Sequence, residues 1–95
     1  MSKHILLLFT ILSITGFAKS PAEAFMQANK KYEAGQYAEA AAQYQEILQQ
    51  GYESAALYNN LGNAYYRQGE VSLSIINYER AQLLSPRYKD IQENL

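Results

Sequence analysis

Apolar and polar positions fall into two regimes along the chain. Ile5 to Phe17 is an unbroken run of thirteen uncharged residues rich in Leu and Ile, preceded by the short basic stretch Met1-Ser2-Lys3-His4. From Ser20 onward apolar residues instead recur at helical spacing between glycines. Tyr58, Leu61, Gly62 and Tyr65 lie at i, i+3, i+4 and i+7, one face of a helix, and Ser74, Tyr78 and Ala81 share a face of the next. Ser20-Pro21-Ala22-Glu23 reads as a capping box with Pro at the first helical position, so a helix is predicted from there to about Ala34, stopped by Gly35. A second is expected from about Tyr37 to Gln50, ended by Gly51, and a third, capped by Ser54, to about Gln68, closed by Gly69. A fourth spans about Val71 to Leu84 before Ser85-Pro86, and a fifth starts near Tyr88. Small residues at Gly62 and Ser74 would let two backbones approach while tyrosines fill the space beside them.

A shift of 34 residues superposes these elements. It aligns Asn29 with Asn63, Tyr32 with Tyr66, Gly35 with Gly69 and Tyr44 with Tyr78, and it meets Ala28 with Gly62 and Ala40 with Ser74, small for small. Many matches in one register mark a structural repeat, each unit a pair of antiparallel helices.

The first regime reads as an address. A basic start, an apolar run and small residues at Gly16 and Ala18 follow the order of a secretory signal, so residues 1–18 are expected to be a cleaved signal peptide and Lys19 the first mature residue. The run is shorter than the ~20 apolar residues of a membrane-spanning helix. The expected location is the periplasm or the outer face of the inner membrane, with membrane attachment only if the segment stays uncleaved.

Composition narrows the chemistry. The chain has no Cys, and its one His is His4, so thiolate nucleophiles, Cys-based metal sites and Ser-His or Cys-His dyads lack their central residue. Eight basic and nine acidic residues are scattered, without the basic stripe of a nucleic-acid binder. We therefore expect no catalytic, cofactor-binding or metal-ligating residues and no nucleic-acid partner.

The run Ala55-Ala56-Leu57-Tyr58-Asn59-Asn60-Leu61-Gly62-Asn63-Ala64-Tyr65-Tyr66-Arg67-Gln68-Gly69-Glu70 resembles a tetratricopeptide repeat. Tyr58 takes the aromatic position, Leu61-Gly62 the Leu-Gly pair and Tyr65 the second aromatic. Ser74, Tyr78, Ala81 and Pro86 take the small, aromatic, Ala and Pro positions that follow. The first unit keeps Ala28, Gly35, Tyr37, Ala40 and Tyr44 but has Gln27, Lys31, Ile47 and Tyr52 where Leu, an aromatic, Ala and Pro are usual. The resemblance implies an all-α fragment of a helix-pair solenoid: a degenerate first repeat over residues 19–54, a second over 55–88, and the start of a third or capping helix over 89–95. The order of features along the chain, down to Asp90-Ile91-Gln92-Glu93-Asn94-Leu95, is also similar to the N-terminal part of E-type members of the Bacteroides aerotolerance group, whose repeats lie on the envelope side of the inner membrane.

What the resemblance implies is a scaffold that binds a protein or peptide segment in a groove lined by the first helix of each pair, with envelope-complex subunits as partners. The groove candidates are Phe25, Asn29, Tyr32 and Glu33 from one helix and Asn59, Asn60, Asn63, Tyr66 and Arg67 from the other. Asn side chains both donate and accept, which suits peptide groups, and Tyr offers apolar area with a polar tip. Tyr44, Tyr58, Tyr65 and Tyr78 are expected in the core. A carboxylate-gripping clamp of the kind found in chaperone-binding members is not expected: Asn29 and Asn60 fit it, but Phe25 stands in place of a Lys, and Asp90 and Asn94 stand in place of basic residues. Two other readings stay open: a small-ligand binder, sugar or peptide, using the Tyr-rich groove with Glu33 and Glu70, and an N-terminal piece of a longer repeat protein. Self-association through the C-terminal face is expected from Ile91 and Leu95, at i and i+4.

Overall fold

The computed structural model describes residues 19–85. The signal-like segment 1–18, the fifth helix near Tyr88 and the pair Ile91 and Leu95 lie outside the described residues. Within them the chain forms α1 (Pro21–Glu33), α2 (Tyr37–Gln49), α3 (Ala55–Arg67) and α4 (Val71–Leu84), all helical as the periodicity predicts. Ser20 caps α1, its Oγ accepting from the Glu23 N–H at 3.1 Å, and Ser54 caps α3 through the Leu57 N–H at 3.0 Å. Both serines satisfy backbone donors that the first helical turn leaves without partners.

The two helix pairs are closed by the same turn. Gly35 and Gly69 both adopt φ +81°, a left-handed conformation that a side chain would strain. At each, the residue after the glycine donates five positions back, Gln36 to the Lys31 carbonyl and Glu70 to the Tyr65 carbonyl, both at 2.9 Å. This ties off the helix end and launches the next helix within three residues. α2 and α4 follow directly on Gln36 and Glu70, whose side chains make no capping bond.

Packing follows chain order: α1 pairs with α2, α3 with α4, and α2 with α3, while α1 and α3 also touch. One core joins Ala28, Ala40, Ala41, Tyr44 and Ile47 of the first pair to Leu57, Leu61 and Ala64 of α3. Between α3 and α4 the close approach expected at Gly62 is real. A Cβ there would stand 2.7 Å from both Cδ1 and Cε1 of Tyr78 and 3.2 Å from the Ser74 carbonyl oxygen. The outer side of α4 differs from that of α2: Leu73, Leu83 and Leu84 are exposed where the shift of 34 puts Glu39, Gln49 and Gln50.

Gly62→Ala sets two effects against each other. Alanine favours the helix by ~1 kcal/mol over glycine. Overpacking against a ring edge costs ~1–3 kcal/mol, and the Tyr78 ring, held at its hydroxyl by Asn63 at 2.6 Å, cannot swing aside without losing that bond. The expected outcome is a net loss of up to ~2 kcal/mol, seen as a fall in Tm by circular dichroism. Ala28→Gly, at the equivalent position of the first pair where the methyl is fully buried, should also lower Tm.

Candidate binding cleft

α1 and α3 flank a cleft of about 210 Å³ lined by Asn29, Tyr32, Glu33, Tyr44, Asn60 and Asn63. Its polar groups are fixed from behind. Tyr44, 1% exposed, reaches from α2 through the core and donates its hydroxyl proton to Asn29 Oδ1 at 2.5 Å. Asn60 Nδ2 donates to the same oxygen at 3.0 Å, tying α3 to α1. In the second pair Tyr78 repeats the arrangement, donating to Asn63 Oδ1 at 2.6 Å. Both tyrosines stand fifteen residues after their asparagines, and the two bonds are related by the shift of 34.

With both amide oxygens engaged, the Nδ2 groups of Asn29 and Asn63 have a fixed orientation as the remaining donors of these side chains. Asn60 has spent a donor on Asn29 and keeps its oxygen as an acceptor. The cleft therefore offers an ordered set of amide donors and an acceptor beside the Tyr32 ring, with one carboxylate, Glu33, among its lining residues.

The tyrosines that hold the asparagines stay protonated over a wide pH range. Burial pushes the Tyr44 phenol up to about 12, with the neighbouring Asn60 amide opposing the rise and the charges of Tyr32 and Glu33 adding to it. Tyr78 is also raised, first by burial and then by Tyr32 and Tyr66.

Other groove candidates are placed elsewhere. Asn59 departs from the expectation: it is 6% exposed and is not among the residues that line the cleft. Phe25 is half-buried and packs its ring on Tyr44, centroids 5.8 Å apart, supporting the cleft rather than lining it. Tyr66 is 60% exposed and outside the lining. Arg67 is also outside it, its guanidinium 4.6 Å from the centroid of the Tyr37 ring, which in turn meets Tyr32 edge-on at 5.1 Å. Of the tyrosines expected in the core, Tyr44 is buried, while Tyr58, Tyr65 and Tyr78 are half-buried.

The tetratricopeptide repeat model matches residues 25–88, which takes in all four helices but the first turn of α1. The chain belongs to the tetratricopeptide repeat family. No curated protein matches it. The cleft lies between α1 and α3, the first helix of each pair, and tetratricopeptide repeat domains typically bind other proteins or peptides. Among the described residues no group of His, Cys, Asp and Glu could hold a metal ion, and no helix is long and apolar enough to cross a membrane.

The Tyr–Asn bridges escaped sequence reading. Asn29 and Asn63, and Tyr44 and Tyr78, each align by the shift of 34, and the constant spacing of fifteen between the two sets was the available signal. Tyr44→Phe should lower the unfolding free energy by ~1 kcal/mol, the net worth of one buried hydrogen bond. It should also change the alkaline limb. The unfolded phenol ionises near its ordinary 10 and the folded one near 12, so this group's contribution is intact below pH 10 and is lost as pH rises toward 12. Denaturant titrations across that window should show a shallower fall in the Phe variant than in the parent.

Proposed function

We propose that this tetratricopeptide repeat chain is an exported, non-enzymatic scaffold of the cell envelope that holds an extended segment of another protein in the α1–α3 cleft. The observation that carries the reading is the pair of asparagines whose amide oxygens are bound by Tyr44 and Tyr78. A peptide backbone needs donors for its carbonyls and acceptors for its N–H groups, and side chains already oriented lose little freedom on binding it. Asn29 and Asn63 supply the donors and Asn60 the acceptor, in the manner of a surface prepared before its ligand arrives. The family supports the same reading, since tetratricopeptide repeats typically serve as non-enzymatic interaction scaffolds.

The envelope location rests on residues 1–18, with their basic start, apolar run and small residues before Lys19. The order of features shared with E-type members of the aerotolerance group makes a membrane-associated complex of that type the proposed setting, its subunits the proposed partners.

Two measurements test this. The full chain, expressed with a C-terminal tag, should fractionate with the envelope, and intact mass should place the mature start at Lys19; a cytoplasmic, full-length product would remove the export reading. Crosslinked partners recovered by the tagged chain should be lost in an Asn29→Ala, Asn63→Ala double variant that keeps its helical spectrum. Equal recovery by both would remove the cleft from the function.

A further inference from the structure

We propose that the segment held in the cleft is cationic, and that Glu33 receives a lysine or arginine side chain from it. The inference rests on the cleft reading above and adds what that reading leaves open, the charge of the partner.

Three observations converge. First, Glu33 is the charged side chain among the cleft's lining residues, so a group seated there meets a carboxylate at close range. That charge is felt within the site, where Glu33 helps to hold the Tyr44 phenol in its neutral form. Second, no ion pair among the described residues involves Glu33. The shift of 34 pairs Glu33 with Arg67, the equivalent residue of the second repeat. Arg67 is laid instead over the Tyr37 ring at 4.6 Å, and the ion pair among the described residues is Lys31 with Glu39. The guanidinium is thus held by an aromatic face, and among the described residues the carboxylate has no ion-pair partner. Third, Glu33 is the last residue of α1, directly after a turn carrying Lys30 and Lys31. The C-terminal end of a helix carries partial negative charge and favours cations, so an acid there works against local stability. A residue that breaks a local rule inside a cleft points to use by a ligand.

The arrangement assigns the parts of the bound segment. Asn29 lies one helical turn before Glu33, on the same face. Its Nδ2 meets a backbone carbonyl while the carboxylate takes a cation from a side chain of the same segment. A chain-terminal carboxylate would meet Glu33 as a like charge, so the specificity is opposite in sign to that of a carboxylate clamp.

The test uses the full chain and a phage-displayed library of random short peptides. Selected peptides should be enriched in Lys and Arg. A synthetic copy of one, followed by fluorescence anisotropy, should bind Glu33→Gln roughly three- to fivefold more weakly at low salt, with the difference shrinking as salt rises. Selection on Glu33→Lys should turn the preference toward Asp and Glu. Neither variant threatens folding, since each relieves the acid at the helix end, and both should hold or raise Tm. Peptides without a basic preference, or equal affinity for the parent and Glu33→Gln, would overturn the inference while binding that still falls in Asn29→Ala keeps the cleft. A library that yields no binder, or binders indifferent to Asn29→Ala and Asn63→Ala, would overturn the cleft reading itself.

Discussion

The hydrogen bond from a buried tyrosine to the asparagine on the neighbouring helix is the interaction on which both halves of the molecule turn. Tyr44 and Tyr78 each do two jobs with one side chain. The ring fills the interface within a helix pair, against Phe25 in the first and over Gly62 in the second. The hydroxyl, which would be costly to bury alone, ends on an asparagine that faces the opposite surface. Core and cleft are therefore not separable. The packing that makes each helix pair also decides which way its cleft amide points.

The helices were largely legible in the sequence because their signals are local. Ser20 and Ser54 could be read as caps, and Gly35 and Gly69 as left-handed stops, within a few residues of the bonds they make; the observed ends fall within a residue of those expected. Gly62 was legible for a related reason, since a missing side chain opposite a small residue and a tyrosine implies contact.

The cleft was legible only in part. A helical face can be read from spacing, and Asn29, Tyr32, Asn60 and Asn63 do line the cleft. What spacing cannot give is the neighbour that claims a residue. Arg67 lies on the same side of α3 as Asn63 and Asn60, yet a tyrosine from the other repeat takes its guanidinium. Asn59 is next to Asn60 in sequence, yet it is buried and does not line the cleft. The Asn60 to Asn29 bond, between residues with no counterpart relation under the shift of 34, is a tertiary event without a local signature.

The three-residue turns at Gly35 and Gly69 also govern the order in which structure can form. Each joins helices whose defining contacts span only about fifteen residues, as the Asn29–Tyr44 and Asn63–Tyr78 bonds do. Closing so short a loop is entropically cheap, and contacts of low sequence separation form fast. The tie between Asn29 and Asn60, thirty-one residues apart, closes a longer loop than either bond within a pair. The cleft, lined from both repeats, therefore depends on the seam between them as well as on the packing of each pair.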